Sequence, residues 1–434
     1  MNFNFISIGS LINSNEASLQ TGPFGTQLKA SEYVEFGTPV INVRNIGFGD
    51  IRADNLEYIT DFKAEQLKNH LLCKGDIVFG RKGAVERHSY IQDEQVGWVQ
   101  GSDCLRLRLN TQKVDSRLLS YYFKTQPHQD WMHALCAFGA TMASLNQDIV
   151  RRILFPCPSI SVQRKIVAIL SAYDDLIENN KKRIQILENM AEELYKEWFV
   201  RLRFPNWENT EFEKGIPKDW KIINSGEFID VVKGKSYTSP EIHDEFIDES
   251  LPFINLKNFN RGGGYRRNGL KFYTGKYANN QKTYQDDIVM AVTDMTQDRA
   301  VVGRVARVPK LNFEFAIISL DCVKLVPKIY SSTFTYCYFK YSGFSDCIKE
   351  FANGANVLHL SPNQIGKQKI LIPPKELVDS FEAIVVPIYS ELNILEESNE
   401  KLEVMRNNLL PRLISGKLSV ENLDIQFPPS MQEQ

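Results

Sequence analysis

Residues 257–276 (KNFNRGGGYRRNGLKFYTGK) carry six Lys or Arg and no acid. Phe259, Tyr265, Phe272 and Tyr273 are interleaved among them, around three consecutive glycines at 262–264. A Gly-rich loop lets another molecule approach the backbone closely, and Arg offers donors to phosphate oxygens and guanine edges. That chemistry is a grip on nucleic acid, with Lys257, Arg261, Tyr265, Arg266 and Arg267 as the expected contacts. A flexible exposed hairpin is the plainer alternative. The first half of the chain has a less charged counterpart at Arg44-Asn45 with Arg52. Its basic cluster comes later, at Arg81-Lys82-Gly83 and Arg87-His88, directly after a strand-like run at 76–79. The aligned loop of the second half, 292–299 (VTDMTQDR), ends in Arg299 and shares almost none of those residues. Divergent loops at one position of a duplicated scaffold suit two sites that read different sequences.

Catalytic motifs are missing. Gly234-Lys235-Ser236 ends like a phosphate-binding loop, but Ile229 stands where the first Gly belongs. There is no [ND]-P-P-[YF] methyltransferase motif, no Pro-Asp pair for a PD…[DE]-x-K nuclease, no H-E-x-x-H and no G-x-S-x-G. His128 and His133 share a helix face, but no third ligand follows at zinc-site spacing. Asp174-Asp175 and Glu192-Glu193 read as solvated helix positions. No catalytic and no metal-binding residue is assigned.

The elements that must position these loops occur twice. Residues 6–11 resemble 222–228, 39–46 align with 252–259, and 75–79 match 286–290. Further on, 103–107 match 321–325, Gly139-Ala140 and Leu145 fall opposite Gly354-Ala355 and Leu360, and 153–156 match 370–373. The offset stays between 211 and 218, which is a tandem duplication. Short runs such as 39–43, 76–79, 105–109 and 316–320 read as strands, with short helices at 115–125 and 332–340. Residues 208–220 form a polar connector.

Each repeat leads into a long helix. In 161–201, Gln163, Leu170, Ile177, Ile184, Ala191 and Trp198 alternate with Ile166, Tyr173, Asn180, Leu187 and Leu194 at the 3, 4 spacing of a coiled-coil seam. At roughly 1.5 Å per residue such a helix is about 60 Å long and needs a partner. Residues 375–415 supply one, with Phe381, Ile388, Leu395, Leu402 and Leu409 interleaved with Val385, Leu392, Asn399, Arg406 and Leu413. Pro387 should kink or restart this second helix. A pseudo-twofold relating two equal halves makes the pair antiparallel and places Asn180 against Asn399 to fix the register.

The fold class expected is therefore α+β: two mixed, strand-rich domains joined by two long antiparallel coiled-coil helices in a pseudo-twofold tandem repeat. The boundaries are 1–155 for the first domain, 156–204 for the first helix, 205–372 for the second domain, and 373–434 for the second helix and tail. The composition, 43% hydrophobic and 24% charged, suits ordinary packed cores. Seven cysteines without a C-x-x-C pair, and an opening MNFNFISIGS that is neither signal peptide nor span, suggest a reduced, cytoplasmic protein. A net charge of −2 neither requires nor excludes nucleic acid.

Certain segments carry a resemblance. They are Leu194-Tyr195-Lys196-Glu197-Trp198-Phe199 with Arg203-Phe204-Pro205, the opening 215–220 (GIPKDW) of the second half, the closing 409–418 (LLPRLISGKL), and 75–84 (GDIVFGRKGA). With the duplication, they make the chain resemble the specificity (S) subunits of type I restriction–modification systems over nearly its whole length. The first half departs in lacking a G-x-I-P-x-x-W opening. The resemblance implies a non-catalytic, DNA-binding subunit whose two target-recognition domains each read half of a split double-stranded target. The helices would act as spacer and dock two methyltransferase (M) subunits. Those use S-adenosylmethionine to methylate adenine, while restriction (R) subunits add ATP- and Mg-dependent translocation and endonuclease cleavage. The chain itself would hold no cofactor and touch no membrane. A fused catalytic protein and a pure coiled-coil adaptor are the other classes; the missing motifs weigh against the first and the basic loops against the second. Replacing Arg266 and Arg267 together by Ala should weaken DNA binding without altering the fold, and unchanged affinity at moderate salt would take the loop out of the site.

Overall fold

The computed structural model describes residues 3–136 and 144–431. It divides into two compact units, Met1–Glu178 with Lys401–Gln434, and Asn179–Glu400, so the boundary cuts both long helices. The expected equivalence of Gly139-Ala140 with Gly354-Ala355 lies outside the described residues in its first member.

In the first unit, Phe5–Ser7 pairs antiparallel with Leu154–Pro156, the strand that feeds the first long helix. A five-stranded sheet follows the order Ala17–Thr21, Cys104–Leu109, Ile77–Gly80, His88–Tyr90, Phe48–Gly49. A second sheet orders Tyr33–Val34, Glu57–Ile59, Thr38–Ile41 and Val99–Gln100, with Val40 parallel to Val99. The helix Ser116–Phe123 is capped by the Asp115 carboxylate on the N–H groups of Arg117 and Leu118. Leu119 and Phe123 pack into a core with Ile77, Phe79, Leu105 and Leu107.

The second unit repeats this path. Lys221–Asn224 pairs with Lys369–Ile372, which feeds the second long helix. The main sheet is Ile229–Lys233, Cys322–Pro327, Ile288–Ala291, Val305–Arg307, and the other again contains a parallel pair, Phe253 with Ile317. The duplicated sequence segments thus occupy the same strands. Both short helices form, at Ser116–Phe123 and Ser332–Tyr341.

Inside each unit the long helices pack on one another. In the second, Asn180 Nδ2 donates to Asn399 Oδ1 at 2.9 Å, both side chains being only 9% exposed. Arg183 bonds Glu391 at 2.6 Å, so the numbering falls along one helix as it rises along the other: the pair is antiparallel. Ile184, Leu187, Ala191 and Leu194 share a core with Val385, Ile388 and Leu392, and Leu395 is buried. In the first unit, Val162, Ile166 and Leu170 meet Leu409, Leu410, Leu413 and Ile414, and Arg406 bonds Asp174 at 2.6 Å. Ile177 is buried and Leu402 half-buried.

Three local expectations change. The second helix runs unbroken from Lys375 to Ile414 through Pro387. Pro removes one backbone bond, but buried Val385, Tyr389 and Leu392 on either side keep the segment helical, so packing outweighs the local cost. The first helix is α from Ile160 to Tyr195 and then adds a π turn, Lys196–Val200. That wider turn lets Tyr195, Trp198 and Phe199 all point inward, where Phe199 meets Phe334 and Phe381 edge-on at 5.3 and 5.0 Å. The connector holds a small hairpin, Phe212–Glu213 with Ile216–Pro217.

Changing Asn180 alone to Leu leaves the Asn399 amide buried without its partner and should cost about 1–3 kcal/mol. Changing both to Leu should recover most of that loss, as read by urea unfolding.

Candidate nucleic-acid interface

A buried asparagine closes the equivalent loop in each unit by its base, and in the second unit that loop is the Gly-rich basic one. In the second unit the Asn255 N–H donates to Asn258 Oδ1 at 3.0 Å. Asn258, fully buried, donates its amide to the Arg266 carbonyl at 3.2 Å and receives the Arg266 N–H on its own carbonyl at 2.7 Å. Between these ends, Gly262, Gly263 and Gly264 all have positive φ (87°, 105° and 92°), a path that side chains resist. The Gly264 N–H donates to the Val305 carbonyl at 2.8 Å and that of Gly262 to Ala300 at 3.4 Å, which lays this loop beside residues 295–300.

The neighbouring loop is organised by Asp294, whose carboxylate accepts from the N–H groups of Thr296, Val301 and Val302 at 2.9, 2.7 and 3.1 Å. Burial pushes its pKa up, but those bonds prevail and hold it below the ordinary value. Gln297 then donates to the Ala355 carbonyl at 3.1 Å, adding a third segment, 353–357. Arg261, Arg266, Thr296, Gln297, Asn353 and Asn356 are exposed across these three loops. Arg261 is 75% exposed and lies 3.6 Å from Asp298.

The expected contacts separate. Lys257 is exposed, like Arg261 and Arg266. Tyr265 packs under the loop against a core of Ile254, Phe259 and Ala306, and burial raises its pKa. Its hydroxyl has no hydrogen-bond partner, so its aromatic body supports the loop from below. Arg299 pairs with Glu350, and Arg267 turns to Glu396 and Glu400 on the second long helix.

The first unit repeats the anchor. The Asn42 N–H donates to Asn45 Oδ1 at 3.1 Å, Asn45 donates to the Arg52 carbonyl at 2.9 Å, and the Arg52 N–H returns to Asn45 at 2.8 Å. Here the enclosed loop is a tight turn at 47–50 without a glycine run. Arg44 pairs with Glu57 at 2.8 Å on the surface. The second basic cluster sits where the duplication puts it: the Leu145 N–H bonds the Arg81 carbonyl at 2.8 Å, as Leu360 bonds Val292 at 2.8 Å. Lys82 is exposed, 3.3 Å from Asp103; Arg81 is half-buried; Arg87 lies over the Phe48 ring at 5.3 Å.

Sequence reasoning missed the asparagine anchors, Asp294 and the 353–357 segment. The anchors had a signal: Asn42-x-x-Asn45 and Asn255-x-x-Asn258 fall at the same place in the two repeats. Among the described residues, no group of three or more His, Cys, Asp or Glu side chains gathers as a metal site. His128 is buried among Tyr122, Phe123 and Trp131, and burial lowers its pKa to about 4, so its imidazole is a neutral packing group at neutral pH. The arrangement offers cations, amides and backbone on rigid sheets, which is recognition chemistry.

The family model for the type I restriction modification DNA specificity domain matches residues 5–189 and again 217–403. The type I restriction enzyme MjaIX specificity subunit of Methanocaldococcus jannaschii is 29% identical over 323 residues, 71% of each chain. The putative MjaX specificity subunit of the same organism is 24% identical over 394 residues, 89% of this chain and 88% of its own. The crystal structure of the type I restriction–modification S subunit from M. genitalium shares the fold, with TM-score 0.57 at 18% identity over 95% of this chain and 96% of that one.

Replacing Asn258 by Ala leaves the Arg266 carbonyl and the Asn255 N–H without their side-chain partner. Hydrogen exchange over 260–267 should accelerate, by a local cost of about 1–3 kcal/mol, while the sheet stays protected.

Proposed function

This chain belongs to the type I restriction modification DNA specificity family, and from that premise we propose that it reads a bipartite DNA target, one half with each recognition domain. The observation that carries this reading is a single place on a duplicated scaffold with two unlike loops. The Arg81 and Val292 carbonyls receive the same bond from Leu145 and Leu360, yet one opens onto Lys-Gly-Ala and the other onto Thr-Asp-Met. Rigid sheets that position different side chains identically are what reading two different half-sites requires.

The roles divide by exposure. Exposed Lys82, Lys257, Arg261 and Arg266 reach phosphates and base edges, exposed Arg44 is held by Glu57, and half-buried Arg81 and Arg87 border the surface in the first domain. Gln297 and Asn356 offer amides suited to adenine edges. The helices set the gap. A 36-residue α-helix is about 54 Å long, or roughly 16 base pairs of axial rise, enough to separate two major-groove segments by about one turn.

Chemistry resides in partners. Two methyltransferase subunits dock on the helices and methylate adenine with S-adenosylmethionine, and restriction subunits supply ATP- and Mg-dependent cleavage. The chain acts in the cytoplasm; among the described residues no helix is long and apolar enough to cross a membrane.

The test is co-expression with the partner adenine methyltransferase in a methylation-free host, followed by mapping of modified adenines. A split motif with two fixed halves and a constant gap is expected, and exchanging residues 1–155 should change only one half. An intact complex that leaves every adenine unmodified would overturn the reading. On the purified complex, Arg266→Ala should reduce the slope of log K against log salt by about 1.

A further inference from the structure

We propose that Arg267 is a positioning residue: its bridge to the second long helix holds the Gly-rich loop at one place along the spacer, and thereby sets how strictly the gap between half-sites is measured. This rests on the bipartite reading above. The guanidinium lies against two carboxylates one helical turn apart, with Nη2 2.8 Å from Glu396 Oε2 and Nη1 bonded to Glu400. A planar fork can engage both acceptors at once, whereas a Lys ammonium is a point charge. Arg267 is 28% exposed, but Arg266 beside it is exposed and closes the DNA-facing loop through its backbone. One dipeptide therefore joins the reading surface to the helix.

Three other cations of this domain reach the same helix pair. Lys310 is 3.5 Å from Glu397, the Arg307 guanidinium lies 4.9 Å over the Tyr389 ring, and Lys340 is 3.6 Å from Glu188. Of these four, only Arg267 sits on the loop that carries Arg261 and Arg266. At the other end of the domain the Ser331 hydroxyl bonds Glu382 and the Tyr341 and Tyr389 hydroxyls lie 3.5 Å apart, beside the aromatic and aliphatic core around Tyr195, Phe334 and Phe381. Apolar packing is non-directional, and a helix presents similar ridges at each turn. Two carboxylates at fixed positions are directional and specify one register. The scale matters: a helical turn is about 5.4 Å and a base-pair step about 3.4 Å, so a fraction of a turn is already one base pair of gap.

The experiment uses the chain in complex with its methyltransferase and a set of duplexes holding the cognate half-sites at the native gap and at one base pair shorter or longer. Wild type should methylate one gap. Arg267→Ala should lower the preference for the native gap about three- to tenfold, as for a partly exposed double ion pair, and leave the salt slope of binding unchanged. Glu396→Gln with Glu400→Gln, which leaves the loop untouched, should relax the gap equally. Arg267→Glu with Glu400→Arg should restore strictness, which guards against misfolding of the single variant. A salt slope lowered by about 1 in Arg267→Ala with the gap still strict would make Arg267 a phosphate contact and overturn the proposal. A strict gap in the Glu396/Glu400 variant would overturn it as well. Wild type that methylates no split duplex would instead remove the bipartite reading on which this rests.

Discussion

Two helices of 36 and 40 residues carry apolar stripes too long for either to bury alone, and one buried amide pair decides how they meet. Asn180 and Asn399 satisfy each other in a single register. Sliding either helix by a turn would leave both amides buried without partners, at about 1–3 kcal/mol each. Leucine in both places would pack at least as well but would tolerate neighbouring registers. The pairing thus trades some stability for a single register of the two helices.

The way each domain joins its helix is the same in both halves and follows from strand pairing. The opening strand, Phe5–Ser7 or Lys221–Asn224, pairs with the last strand before the helix, Leu154–Pro156 or Lys369–Ile372. Closing the domain and launching the helix are therefore one event. At the end of the first helix, the π turn brings Trp198 and Phe199 into the core that includes Phe204 and Trp220, fixing the chain as it enters the second domain. The motifs LYKEWF, RFP and GIPKDW are that joint, written as sequence.

The equivalent loops of the two units share their anchors and differ in what the anchors carry. Asn45 and Asn258 make the same closures with Arg52 and Arg266, yet one holds a tight turn and the other three glycines in left-handed backbone. The anchoring bonds reach only backbone groups at the loop ends, so the residues between are free to differ without disturbing the sheets. That separation lets one scaffold carry two unlike loops.

The sequence by itself determined the duplication, several of its strands and both short helices, the two seams with their central asparagines, and the family. Each is a repeating or periodic pattern, and burial imposes such patterns directly on residue type. Tertiary structure alone decided that Pro387 lies within an unbroken helix, because the buried residues flanking it outweigh one lost bond. It alone decided that Arg266 faces outward while Arg267 binds Glu396 and Glu400, and that residues 353–357 join the loop at 295–300. Adjacent arginines are indistinguishable in composition. Their fates depend on which carboxylates, more than a hundred residues away in the chain, the fold brings within reach, and no local spacing encodes that distance.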